Sequence, residues 1–532
     1  MALTSTHQAR GAVSPATSRQ ARGRLLAVLM LVLLMLPMLW PALHALGGTL
    51  HTLWQGSVLA GGGSLWPGAR VGGLLGQGLL LSLLAAAAAT AVAAVCAAAL
   101  LLPLARTTRW LLVAGLAASF CFGTVVHLLA WRTVFPVVTG GVAGWALATV
   151  ALGLRFAPLA AALLVMGLGS FERAEMETAL CSGGARALWA VARTRLLRLA
   201  GMCVAAVAAL VFCESEVPPL AGVHVYAEEF LSQVALEPDP HVAAALGWPL
   251  MALALACAAL LSGLPRLRPG AAGAVQLGWL GRWAHAPAAL RHGLPALALA
   301  LVALPLLLLA LGSLQASGRW PAHAGAALRA SLGLATVAAM LACAWGWALA
   351  ALATQAGGAA RRALNLLAWL AMLWPSALTG LAIAGAALPP ALGEATPLLL
   401  AHSLRLLPFA AWVMLALHDL RPRGAHEQLR TLGARGGVAW RHVTLPAAAP
   451  GLLAAFVLGF GLSLAELTAT VLTVPPGMET VILRLYNLLH YGDQRGVMLM
   501  ALLQGLTVAG AMLLAMALPL LLQRARGGHA AA

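Results

Sequence analysis

Glu427-Gln-Leu-Arg-Thr-Leu-Gly433, in the second half of the chain, is the counterpart of Glu177-Thr-Ala-Leu-Cys-Ser-Gly183 in the first. Each sits in an Arg-rich polar break between long apolar stretches. The two are 250 residues apart (427 − 177), and other marks keep that offset. Arg155 and Pro158 in LRFAP fall onto Arg405 and Pro408 in LRLLP, and Glu216 falls onto Glu466. Polar landmarks that recur at one fixed spacing point to duplication of a whole structural unit.

The unit reads as half of a membrane protein. With 62% apolar residues, 9% charged residues and a mean hydropathy of +0.91, the chain has too little polar surface to surround a soluble core. Twelve stretches have about the 20 apolar residues that cross ~30 Å of hydrocarbon. They lie near 25–46, 75–103, 111–131, 141–168, 199–213, 242–264, 295–316, 330–354, 363–387, 396–418, 449–473 and 498–522. Ala and Leu dominate them and the alternation of a barrel strand is missing, so an all-α membrane protein of about 12 transmembrane helices is expected. Segment 25–46 follows several arginines as a signal peptide does, but its apolar run is long and no small-residue cleavage site follows, so a retained span is expected. The expected organisation is a tail at 1–24, a first transmembrane half at 25–264 with its core at 75–264, and a Gly/Pro/Arg-rich linker at 265–293. A second half at 294–526, with its core at 327–522, and a tail at 527–532 complete it.

The arginines set the expected orientation. With the N-terminus inside, cytoplasmic loops receive Arg106 and Arg109, the group from Arg173 to Arg198, Arg266 to Arg291, Arg361 and Arg362, Arg421 to Arg441, and Arg524 and Arg526. The opposite loops hold Glu214, Glu216, Glu228, Glu229, Glu237 and Asp239, then Glu394, then Glu479 and Asp493. This positive-inside pattern places both termini in the cytoplasm. The net charge of +17 then reports topology, with anionic membrane lipid as the partner. Basic residues scattered over short loops without interleaved aromatics are not a nucleic-acid footprint. Seven cysteines, none in CxxC or metal spacing, read as small packing residues, and no metal site is expected.

The second polar break carries the fuller signal: Glu427, Gly433, then Val443, Leu445 and Pro446 in EQLRTLGARGGVAWRHVTLP. This spacing resembles the EAA loop of the membrane subunits of binding-protein-dependent ABC importers. The resemblance implies a helix, a turn at the glycine and a second short helix that docks on an ATP-binding subunit. Residue chemistry points the same way: Gly433, Gly436 and Gly437 break a helix at low steric cost, and Pro446 suits the first turn of the next span. Val438, Trp440 and Val443 among Arg435, Arg441 and His442 make an amphipathic segment too short to fold alone. The first copy keeps Glu177 and Gly183 but has Arg193, Thr194, Arg195 and Leu196 where the branched aliphatic and Leu-Pro are expected, so the two loops read as inequivalent.

The chain contains no lysine, so the phosphate-binding pattern GxxxxGK[ST] is not present and any ATPase must be another polypeptide. Fusion of two halves, LRFAP and LRLLP, and AELTATVLTVPPGMETVILRLYNLLHYG resemble the permeases of the iron(III) and thiamine uptake group. The resemblance implies two parallel six-helix repeats with the type I ABC importer transmembrane fold in a bacterial plasma (inner) membrane. It also implies two copies of an ATP-binding subunit on the cytoplasmic face and an extracytoplasmic solute-binding protein. No cofactor is expected in this chain, ATP being hydrolysed by the partner. Iron(III) is the expected cargo, with thiamine, polyamine or phosphonate-like solutes as alternatives, and an ion-coupled secondary transporter as the alternative class.

Arg155 and Arg405 lie inside apolar spans, where facing lipid costs roughly 2.5–3.5 kcal/mol each, so both should face the bundle interior. They line a passage or tie helices through carbonyls freed by Pro158 and Pro408. Glu216 and Glu466 close the fifth spans of the two halves ahead of VPPL and TVPPG, where paired prolines bend or end a helix. If those segments fold back, two carboxylates stand near the centre; otherwise they are solvated at the membrane surface. His127, His402 and His490 read as packing histidines. No nucleophile, base or dinucleotide pattern points to catalysis, and no enzyme is expected.

Overall fold

The computed structural model describes residues 69–102, 104–135, 140–168, 173–236, 240–262, 288–315, 320–355, 358–386, 388–419, 428, 431, 436–491 and 493–529. The segment 25–46 and nearly all of the 265–293 linker, with Glu427 and Gly433 of the second polar break, lie outside them. Among the described residues the fold is helical throughout, with no strand. The helices of the first half are α1 Ala69–Leu101, α2 Arg106–Cys121, α3 Thr124–Arg132, α4 Gly141–Leu168, α5 Arg173–Phe212, α6 Val217–Leu220, α7 Tyr226–Leu236 and α8 Pro240–Ser262. Those of the second are α9 Ala288–Gln315, α10 Ala324–Gln355, α11 Gly358–Leu373, α12 Ser376–Ala384, α13 Thr396–Asp419, α14 Gly436–Ala439, α15 Leu445–Leu464, α16 Thr468–Thr473, α17 Val481–Tyr491 and α18 Gln494–His529.

Eight described helices are long and apolar enough to cross a membrane, or up to 10 if two sharply bent pairs each count as one span. Three expectations change. The segments 111–131 and 363–387 are not straight spans: α2 and α3 meet at 98°, and α11 and α12 at 92°. The breaks fall at Gly123 and Pro375, whose extended backbone (ψ 153° and 129°) forms the N-cap of the second helix in each pair. The segment 199–213, read as a short span, is the end of a longer apolar helix over Arg186–Phe212, because the arginines at its start are helical. The segment 449–473 stops at Leu464 and restarts as the short α16.

Inside a bilayer, burying apolar side chains gives little drive for helix association, so close approach of small residues does the work. α1 lies along α4, and α10 along α13. At the first contact Ala85, Ala86, Ala89 and Ala93 meet Ala148, Ala151 and Gly153. At the second, a methyl group placed on Gly346 would stand 2.8 Å from the Ala411 nitrogen and 2.9 Å from the Ala410 carbonyl carbon, so only glycine lets these backbones touch. The bent pairs reach across between cores. Trp369, Met372, Leu373 and Leu378 of α11 and α12, with Trp374 at the break between them, pack with the first half. Ala118, Cys121, Val125, Val126 and Leu129 of α2 and α3, with Phe122 between them, pack with α15 and α18, and Leu112, Leu116, Phe120 and Leu128 stay with the first half.

Candidate functional site

Two turns of chain and two helix breaks build the site. α5 ends at Phe212, and Glu214, Ser215 and Glu216 then lead into α6, whose Pro218 and Pro219 occupy a helical turn with no preceding helix to disrupt. In the second half α15 ends at Leu464 and Glu466 precedes α16, its Oε1 accepting the Ala469 amide at 3.2 Å. Both turns fold back against the bundle. Arg155, Arg405, Glu216 and Glu466, drawn from distant parts of the sequence, therefore line one cavity of about 110 Å3 together with Glu214.

The five charges are not equally engaged. Arg405 donates from Nη1 to the Trp374 carbonyl at 2.6 Å, at the break between α11 and α12, and its Nε lies 3.5 Å from Glu466 Oε2. Glu216 accepts from the Thr468 hydroxyl at 2.6 Å and from the Thr124 hydroxyl at 3.0 Å, which joins α6, α16 and α3 through one carboxylate. Glu214 Oε1 accepts the Glu216 amide at 3.0 Å. Arg155 differs from its repeat counterpart at Nη1: it is only 7% exposed, and while neither arginine's Nε has a hydrogen-bond partner, Arg155 Nη1 has none either. Its guanidinium carbon instead sits 4.7 Å from the centre of the Phe120 ring and 5.4 Å from that of Phe156.

A larger apolar cavity of about 490 Å3 adjoins this chamber, and Phe120 and Phe409 line both. The two rings stand 5.6 Å apart at a 60° tilt. The apolar cavity runs along residues of α1, α2, α4 and α13 that lead toward the Arg-rich ends of those helices, including Leu100, Val113, Met166 and Ala416. An aromatic pair thus separates a charged chamber from a greasy vestibule.

At the first polar break α5 is two helices merged across a kink at Gly183 and Gly184. The left-handed residue is Gly184 (φ 60°), one position beyond the glycine singled out from sequence. Glu177 is half-buried on the leading arm. Arg195, one of the residues that depart from the resemblance, makes a two-pronged contact with Glu175 at 2.7 and 2.9 Å and so clamps the arms of the kink together. At the second break the one-turn α14 passes through a wide turn over Trp440–Thr444 into α15, with Leu445 and Pro446 in its first turn. Val443 and Leu445 are half-buried and Pro446 is exposed, and Val438 and Trp440 are about half exposed at 48% and 51%. Trp189, just past the first kink, is 61% exposed.

His127 bonds the Ser119 carbonyl, and His402 the hydroxyls of Ser463 and Thr470, within the packed interior. Among the described residues no group of three His, Cys, Asp or Glu side chains is placed to hold a metal ion. Sequence reasoning missed Glu214, Thr468 and the Phe120–Phe409 pair. Glu214 and Thr468 have no like partner at the 250-residue offset, where Leu464 and Pro218 stand, so a search for repeated polar marks passes over them.

No family model matches this chain. Over 63 residues it is 40% identical to a putative 2-aminoethylphosphonate transport system permease protein of Salmonella paratyphi A, a stretch that is 12% of this chain and 24% of that protein. The match spans about a quarter of the relative's length. Over that stretch the chain resembles a transport permease, and its eight to ten candidate spans among the described residues are those of an integral membrane protein.

Proposed function

We propose that this chain is the membrane-spanning permease of an ABC importer in a bacterial inner membrane, two fused halves that take solute from an extracytoplasmic binding protein and are driven by two partner ATPase subunits. The observation that carries the reading is the chamber itself: matching turns after α5 and α15 set carboxylates opposite matching arginines from α4 and α13 in one cavity. The same element order recurs in both halves, each with a bent pair, a long helix ending in a folded-back turn, a short amphipathic helix and a final apolar helix. Such recurrence supports two repeats and about 12 spans, the first of them at 25–46. The Arg-rich ends are then cytoplasmic, the kink at Gly184 and the turn at Trp440 are the docking loops, and Glu177, Gly183, Glu427, Gly433, Val443, Leu445 and Pro446 belong to them. Exposed Val438, Trp440 and Trp189 give those loops apolar surface for an ATPase groove.

The passage runs from the chamber past Phe120 and Phe409 into the apolar vestibule. Iron(III) as cargo is a second reading, which rests on the resemblance of the sequence to the iron(III) and thiamine uptake group. The test is uptake into proteoliposomes holding this chain and the ATPase and binding protein encoded beside it. Accumulation should require ATP on the Arg-rich side and survive a protonophore; accumulation that follows an ion gradient without ATP overturns the reading in favour of a secondary carrier.

A further inference from the structure

Within the chamber the charges sort into one ion pair and a set that makes none. Arg405 and Glu466 answer each other, and the Trp374 carbonyl takes a further proton of Arg405. That leaves Arg155, Glu214 and Glu216, all lining the same space. A guanidinium 7% exposed with Nε and Nη1 unpartnered is costly, because each buried donor forfeits its water. Arg155 also lines the chamber, so an anionic group that enters gains a charge-assisted contact with its guanidinium. The carboxylates present the opposite need. Each has about four lone-pair sites, and the contacts from Thr124, Thr468 and the Glu216 amide use only some of them.

We propose that the chamber is a binding site for a small zwitterionic solute, its anionic group held by Arg155 and its ammonium by Glu214 and Glu216. This rests on the permease reading, which makes the solute cargo. Size agrees with the class: a single water needs ~10–15 Å3 of such space, and about 110 Å3 leaves room for a small solute. The ring faces of Phe120 and Phe156 keep Arg155 out of reach of bulk water until the solute arrives. A bare hard cation fits less well, since it would meet Arg155 across the chamber and carboxylates whose oxygens already accept hydroxyl protons.

The test is titration calorimetry on the full-length chain in lipid nanodiscs with 2-aminoethylphosphonate, ethylphosphonate, ethylamine and ferric citrate as probes. The zwitterion should bind at least tenfold more tightly than either analogue of single charge and than ferric citrate. Arg155→Gln should bring it to within twofold of ethylamine, Glu214→Gln to within twofold of ethylphosphonate, and Arg155→Lys should keep part of the preference. Equal affinities, no heat with any probe, tighter ferric citrate binding, or a preference unchanged in Arg155→Lys and Glu214→Gln each overturn the proposal, and the first three need no variant to fold. A zwitterion preference without nucleotide-driven uptake in proteoliposomes keeps this site and removes the permease reading. Nucleotide-driven uptake without the preference does the reverse.

Discussion

Arg155 and Arg405 occupy equivalent places in the repeat, yet replacing each by methionine should have opposite effects on stability. Arg405→Met removes a charge-assisted bond to the Trp374 carbonyl and an ion pair of 3.5 Å, and leaves that carbonyl bare at a helix break. A hydrogen bond from a charged donor contributes about 1.5–3 kcal/mol in soluble proteins, whereas interhelical bonds in membranes average ~0.6 kcal/mol. With both Arg405 and Glu466 partly exposed, at 20% and 17%, the ion pair adds little. A loss of about 2 kcal/mol is expected. Arg155→Met forfeits a cation–π contact of about 0.5–2 kcal/mol, but it also removes a guanidinium whose burial without partners costs several kcal/mol. Its stability should be unchanged or raised while transport is lost.

The assay is thermal or SDS unfolding of the full-length protein in one detergent, followed by tryptophan fluorescence, with uptake measured in parallel. Met is close to Arg in length and helix propensity, so backbone preference contributes little to either result. Equal destabilisation by the two substitutions would refute the reasoning, for it would mean that Arg155 has partners as good as those of Arg405. So would an Arg155→Met protein that transports normally.

Gly346→Val should lower stability by about 1–3 kcal/mol by forcing α10 off the α13 backbone, whereas Gly333→Ala, which meets nothing within 4 Å, should be neutral or stabilising by up to about 1 kcal/mol; melting curves of the two decide it. Phe409→Ala should join the chamber to the apolar vestibule and raise nucleotide-independent solute leak in proteoliposomes at least tenfold, with coupled uptake reduced. Trp440→Ala should weaken capture of the ATPase subunit at least tenfold without moving the melting temperature, since its ring is about half exposed; a shift in melting with unchanged capture would place it in packing instead. Arg195→Leu should open the kink at Gly184 at a cost of no more than about 1 kcal/mol, visible as increased proteolysis between Glu175 and Arg195.

Much of the site was legible because charge is scarce in this chain. Among so many apolar residues, Arg155, Arg405, Glu216 and Glu466 stand out singly, and their shared spacing assigns them equivalent places before any coordinates are known. Spacing could not reveal that equivalence ends at hydrogen bonding. Arg405 reaches a carbonyl released where Pro375 interrupts a helix, but in the first half the break falls at Gly123, and Arg155 turns to aromatic rings instead. The right-angled breaks were invisible for a different reason. Hydropathy registers how long an apolar run is, and a run folded at its middle is as apolar as a straight one. The aromatic pair was hidden as well, because an isolated Phe in a span carries no pattern.

The reach of the bent helix pairs between cores bears on how such a chamber can open. Trp374, at the break that Arg405 holds, packs in the core of the first half, while Arg405 itself rides on α13 of the second. Thr124, at the other break, meets Glu216 of the same half on a helix whose apolar residues divide between the two cores. Each half therefore reaches the chamber through a limb that also packs with its neighbour. Phe120 packs in the first-half core, so a rotation of one half against the other draws its ring away from Phe409, on α13, and strains the Glu216 bond to Thr468. Parting the rings costs their contact, about 0.5–1.5 kcal/mol. A solute that offers Arg155 and the carboxylates new partners can compensate for the strained bond as it breaks. Binding and opening are then coupled through the same side chains, and the coupling is strongest for a solute that satisfies Arg155 and the carboxylates together.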